Sequence, residues 1–206
     1  MSSDSTEIRR GSPLVEFFAE RPPVDPDPTR DAEMSERAFW GHVNLRGDAA
    51  DAAFQVGVEG AVGVRAPTSP NTVSRADETA IAWLGPDEWL VISPPDIKEG
   101  LAARLEEALT GLHASVNDIS SGQTIIRLHG ARAREVLNKG CPVDLHPRTF
   151  GAGQCAQSHV AKSNALIVQV NDAPTYDVIV RRSFADYLAR WLLDAGLEYD
   201  IAVVSN

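Results

Sequence analysis

The stretch Val116 to Pro147, VNDISSGQTIIRLHGARAREVLNKGCPVDLHP, reads as strand, tight turn, strand, helix and stop. Val116 to Ile119 and Gln123 to Leu128 are short runs rich in β-branched residues. Ser120-Ser121-Gly122 between them supplies hairpin-type turn chemistry, with Gly122 free to take a positive φ. Gly130 breaks the second strand and lets the backbone turn closely into a helix from Ala131. Ala133, Val136 and Leu137 then fall on one face, at spacings of three and four. Lys139 occupies the last turn, Gly140 the position after it, and Pro142 forbids continuation.

Outward from this unit, strand pairs alternate with single helices. Thr79 to Leu84 and Trp89 to Ser93 flank Gly85-Pro86-Asp87-Glu88, a turn in which proline presets φ and aspartate caps the bend. Phe39 to Leu45 reads as the first strand. Asp48, with Asp51 three residues on, caps a helix over Ala49 to Val58, and Val62 to Val64 adds a brief strand before a loop from Ala66 to Asp77. Asp96 and Glu99 open a second helix carrying Ile97, Leu101, Leu105 and Leu109 on one face. Cys155 to Ala161, Ala165 to Val170 and Tyr176 to Val180 read as three further strands. Ser183 caps a last helix, with Phe184, Leu188, Trp191, Leu192 and Ala195 inward, and Tyr199 to Val204 forms a last strand. Neighbouring strands are too close in sequence for parallel crossovers. The fold class is therefore α+β: largely antiparallel sheets with helices packed on one face, built from ferredoxin-like units.

The chain has 206 residues, 43% hydrophobic and 23% charged, the composition of an ordinary soluble globular protein. Its 19 basic and 29 acidic residues give a formal net charge of −10, which argues against a nucleic-acid or anionic-membrane surface. The two cysteines, Cys141 and Cys155, suit a reducing cytoplasm. Neither a secretory leader nor a membrane span is legible.

At the N-terminus, Ser12-Pro13 starts a short helix bearing Leu14, Val15, Phe17 and Phe18. Arg21 to Asp31, with four prolines, reads as a linker. The expected organisation is a mobile segment and linker over 1–34 and a single domain over 35–206. The apolar segment Ser12 to Glu20, too short to fold alone, is expected to dock on a partner chain, the alternative being that it packs back on this chain's own sheet.

The side chains that could carry chemistry favour structural roles. Neither a P-loop nor a strand-borne G-x-G-x-x-G is present. His42, His113, His129, His146 and His159 are scattered without ligand spacing, so no metal site is expected. Cys141, at a helix C-terminus, faces the wrong end of the helix dipole for an activated thiolate. Adjacent turn carboxylates such as Asp87 and Glu88 point apart into solvent. Trp83 and Trp89 are core or interface indoles. Arg181 and Arg182, beside a helix N-terminus, call for an acidic partner, with Asp177 and Asp186 nearest. No catalytic, cofactor-binding or metal residue is expected.

Three blocks carry a resemblance. Asp118-Ile119-Ser120-Ser121 with Ile126 to Ala133 resembles the core of the folate-binding aminomethyltransferase fold. The longer SGQTIIRLHGARAREVLNKGCPVDLHP, with WLGPDEWLVISP (Trp83 to Pro94) and DVIVRRSFADYLARWLL (Asp177 to Leu193), resembles the gamma subunits of heterotetrameric sarcosine oxidases. That resemblance implies oxidative demethylation of sarcosine, with the one-carbon unit passed to tetrahydrofolate. It implies alpha, beta and delta partner subunits, and FAD, FMN, NAD and tetrahydrofolate on those subunits rather than here. It also exposes a departure. Aminomethyltransferases carry a functional aspartate on the strand pair after the central helix, whereas Gly153 to Asn171 contains no acid, and Asn164 and Ala165 stand where it would be. Asparagine cannot support a developing cation as a carboxylate does. A non-catalytic gamma subunit is the expected function. The alternatives are the equivalent subunit of a related N-methyl amino acid dehydrogenase and a stand-alone folate-binding protein.

Overall fold

The computed structural model describes residues 10–205. Two sheets face one another. One has six strands: β1 (Glu33–Arg37), β7 (Gln123–His129), β8 (Cys155–Val160), β9 (Ser163–Asn171), β10 (Thr175–Arg181) and β11 (Ala202–Val203). They lie in the order β11-β1-β7-β10-β9-β8. The other has five: β2 (Gly41–Arg46), β3 (Val73–Ala76), β4 (Thr79–Gly85), β5 (Glu88–Ser93) and β6 (Ser115–Asp118), in the order β3-β4-β5-β2-β6. Ladders within both sheets are antiparallel except β1–β11. The α+β architecture is as the sequence predicts.

Period-two patterning explains the layers. In β10, Tyr176, Val178 and Val180 face the helices α1 (Val15–Glu20), α5 (Ala133–Asn138) and α6 (Arg182–Gly196), while Ile179 faces the second sheet. In β5, Trp89 and Val91 face the helices α2 (Ala52–Val62) and α4 (Leu101–Ala108), while Leu90 and Ile92 face the first sheet. The result is four layers, helix–sheet–sheet–helix, with an apolar seam of Leu90, Ile92, Ile125, Leu166, Val168 and Ile179 between the sheets. Buried Trp89 donates its indole N–H to the Pro67 carbonyl at 2.8 Å, which meets the polar need of a core tryptophan.

The central unit holds, with one change of meaning. Its two strands are not a hairpin: β6 pairs with β2, and β7 pairs with β1 and β10. Ser120–Gly122 winds into a 3-10 turn that hands the chain from one sheet to the other. Asp118 drives this turn by accepting the Ser120 N–H at 2.9 Å, and Gly122 has no positive φ. Gly130 does, at 110°, and passes close to the Asp31 carbonyl.

Other expectations shift. The first strand is Glu33–Arg37, ahead of the one expected, and Phe39 forms the turn into β2 with φ 64°. Helix α2 is capped by Asp51 rather than Asp48: the Asp51 carboxylate accepts the Ala53 N–H at 2.8 Å, and the helix runs through Gly57 and Gly60 to a left-handed stop at Gly63. Val62 to Val64 therefore adds no strand, and β3 occupies part of the expected loop. Gly100, with φ 77°, splits the next helix into α3 (Pro95–Lys98) and α4. Helix α6 begins at Arg182, before Ser183, and Phe184 is 44% exposed rather than inward.

The apolar segment at 12–20 packs on its own chain. Leu14 and Phe17 are fully buried in the core between α5, α6 and the six-stranded sheet. Ser12 hydrogen-bonds the buried Glu36 carboxylate, and Thr124 holds the other oxygen at 2.6 Å. The proline-rich stretch after it lies along β11, where the Val24 N–H meets the Val203 carbonyl at 2.9 Å. The mobility expected of residues 1–11 falls mainly outside the described residues.

Candidate functional site

The β8–β9 hairpin, turning at Ala161 with φ 54°, carries the positions where the sequence lacks an acid. Strand parity separates them. Asn164 shares its face with Leu166 and Val168 and fronts the second sheet, with His159 beside it in register. Ala165 belongs to the helix-side core. Asn164 borders a cleft of about 520 Å³ between the sheets, completed by Asn44, Glu88, Gln157 and Arg181.

Glu88 is the carboxylate that the sequence reading sent into solvent. It has the same parity as Leu90, which is the signal that could have found it, and it points into the gap between the sheets. Its oxygens are engaged on its own sheet: Asn44 donates to one at 2.8 Å and Arg46 to the other at 3.2 Å. Asp87 pairs loosely with Arg46 at 3.6 Å. Across the cleft, Gln157 donates to the Leu84 carbonyl at 2.8 Å and tethers the two sheets. The cleft thus offers amides, the His159 imidazole, the Ser158 hydroxyl at its edge, one engaged carboxylate and Arg181; Ser158 and His159 are adjacent on β8 and point to opposite faces of the strand. These groups can hydrogen-bond a ligand, but they do not form a nucleophile–base pair.

The other singled-out residues do not converge. Among the described residues, no group of three His, Cys, Asp or Glu side chains is placed to hold a metal ion. Both cysteines are free and buried; burial pushes the Cys141 thiol up and the Cys155 thiol up to about 11, so neither supplies a thiolate near neutrality. Arg182 donates to the carbonyls of Ser121 and Gly11, not to an acid. Asp177 pairs instead with Arg127, and Asp186 with Arg190. No helix among the described residues is long and apolar enough to cross a membrane.

Comparison with known proteins complements this geometry. Residues 46–198 match the model of the "Sarcosine oxidase, gamma subunit family". A sarcosine oxidase subunit gamma from Arthrobacter sp. is 36% identical over 81% of this chain and 80% of its own length. Its counterpart from Corynebacterium sp. (strain P-1) is 34% identical over 95% and 94%. Among solved structures, a chain of the heterotetrameric sarcosine oxidase from Corynebacterium sp. U-96 superposes with a TM-score of 0.83 at 29% identity. That match covers 95% of this chain and 99% of that one. The glycine cleavage system aminomethyltransferase T from Bartonella henselae shares the fold, with a TM-score of 0.72 at 14% identity over 93% of this chain and 58% of that one.

Proposed function

Because this chain belongs to the sarcosine oxidase gamma subunit family, we propose that it is the gamma subunit of a heterotetrameric sarcosine oxidase and carries no active site of its own. The observation behind this is the near-complete mutual coverage with one chain of such an oxidase, 95% on 99%. The assembly oxidatively demethylates sarcosine and passes the one-carbon unit to tetrahydrofolate. The alpha, beta and delta subunits hold FAD, FMN, NAD and tetrahydrofolate, and the whole works in the cytoplasm. The engaged Glu88 and the neutral Asn164 support a non-catalytic role, since the cleft between the sheets lacks a free carboxylate where a developing cation would need one.

Purification from native extract, with identification of every co-purifying chain, tests the reading. Large flavin-bearing subunits are expected at stoichiometric ratio. Recovery of this chain alone would refute its role as a subunit. The isolated chain is expected to be colourless, and a stoichiometric flavin spectrum would contradict the assignment of flavins elsewhere.

A further inference from the structure

Only part of the six-stranded sheet's inner face is apolar. Beyond Ile125 and Ile179 the face turns polar, and Asp177, Arg127 and Ser35 stand side by side in register across β10, β7 and β1. A cleft of about 450 Å³ opens over this part, walled by Ser35, Arg37, Trp40, Arg127, His129 and Ser205.

Positive charge is in excess there. Arg127 gives Nε and Nη2 to Asp177 at 2.7 and 2.8 Å. Arg37 stacks its guanidinium 3.7 Å from the centre of the Trp40 ring and reaches Glu78 at 2.9 Å, but the Glu78 side chain is 64% exposed. Arg75 lies near enough to feel both Arg127 and Asp177, and its Nε is buried without a hydrogen-bond partner. Three guanidinium groups thus share one buried and one solvated carboxylate. The neighbouring Glu33 does not correct this, because Arg30 claims it at 2.8 Å and His129 lies 3.1 Å away. Burial, and for both side chains the Arg127 charge, hold Arg37 and Arg75 below the usual guanidinium range. In a chain of net charge −10, such a half-buried cluster of cations is unfavourable unless an anion accompanies it.

We propose that this cleft binds an oxyanion, a carboxylate or phosphate group, between the guanidinium groups of Arg37 and Arg127. Arginine forks suit this chemistry, because they present paired donors at the spacing of two anionic oxygens. The anion is either a free small molecule or an acidic group of a neighbouring subunit. The second source rests on the gamma-subunit reading, and the first does not.

The test titrates the isolated full chain with inorganic phosphate by calorimetry, against chloride at equal ionic strength, in wild type and Arg37→Gln. Arg37 has an exposed ion-pair partner, so its loss strands no buried charge; Arg37→Lys, which keeps the charge and loses the paired donors, is the second variant if the first misfolds. Saturable binding is expected, weakened about tenfold or more in the variant, which corresponds to about 1.4 kcal/mol. A second arm measures assembly of the oxidase with and without phosphate at constant ionic strength. If phosphate weakens assembly of the wild type but not of the variant, the anion belongs to a partner. If phosphate binds the free chain and leaves assembly unchanged, it is a free ligand. Binding that the substitution leaves intact overturns the proposal. So does an absence of binding by the free chain together with no phosphate-sensitive assembly.

Discussion

Gly140 sits directly beneath the indole of Trp191: a methyl group at Gly140 would come within 2.6 Å of Cζ2. The contact joins the end of α5 to the face of α6, and the Gly140 carbonyl also accepts the Ala161 N–H at 2.9 Å. Gly140→Ala is expected to cost roughly 1–3 kcal/mol through overpacking. Gly122→Ala, where nothing lies within 4 Å, is the control. Urea unfolding of both variants decides, and equal midpoints would remove the argument.

Phe17 is fully buried in this chain's own core. Phe17→Ala should therefore destabilise the isolated chain by about 3–5 kcal/mol. Scanning calorimetry of the free chain reads this directly. An unchanged midpoint would mean that the segment gains its order from another molecule.

Asp177→Ala should leave Arg127 partly buried without its bidentate partner, at a cost of roughly 3–5 kcal/mol. The double variant Arg127→Met with Asp177→Leu should recover most of that loss, since apolar replacements of similar volume remove both desolvation penalties. A double variant less stable than Asp177→Ala would show that the pair does more than satisfy itself.

Burial holds His42 at a pKa of about 4, below the ordinary 6.5; the Lys98 charge adds to the effect and Asp118 opposes it. The unfolded chain takes up a proton below about 6.5 and the folded chain only below about 4. Stability should therefore fall as pH drops through that window, by an amount on the order of 3 kcal/mol in all. His42→Leu should show a smaller difference between urea midpoints at pH 7 and pH 5 than the wild type. Identical pH dependence in the two proteins would dispose of this assignment.

Asn164→Asp restores an acid to the face of β9 that meets the second sheet. Asn164 is exposed at the hairpin, so folding should tolerate the change. Turnover of the reconstituted assembly is expected to stay near wild type, because nothing in the cleft is poised to use the acid. A large change in turnover with assembly intact would return the cleft to the chemistry.

The hairpin at Pro86-Asp87, the α5 stripe of Ala133, Val136 and Leu137, and the three late strands were legible because period and turn chemistry agree there. Strand β1 was not. Its sequence, EMSER, offers one apolar residue, because Glu33, Ser35 and Arg37 face the polar part of the inner sheet. Sheet membership of β6 and β7 was illegible too, since it depends on which distant strand each one meets. For the site, the parity of β5 carried the position of Glu88, and a local turn rule overrode it. The convergence of Arg37, Arg75 and Arg127 arises from three strands in two sheets and leaves no spacing to read.

The 3-10 turn at Ser120–Gly122 has a bearing on how the chain reaches its native state. All five strands of the smaller sheet lie between β1 and β7, so Glu36 and Thr124 meet across 88 positions. Closing that loop from an open chain is costly in entropy. Yet the ends of the intervening unit are tied at one point, where the Ile119 N–H meets the His42 carbonyl at 2.8 Å and the His42 N–H meets the Ser120 hydroxyl at 2.9 Å. Once that unit has formed, only the short turn at Phe39 and the Ser120 turn separate β1 from β7. The remaining closure is then cheaper by roughly 2 kcal/mol, on logarithmic scaling with loop length. The inserted sheet acts as a clasp, and its early formation would let the larger sheet zip from its middle.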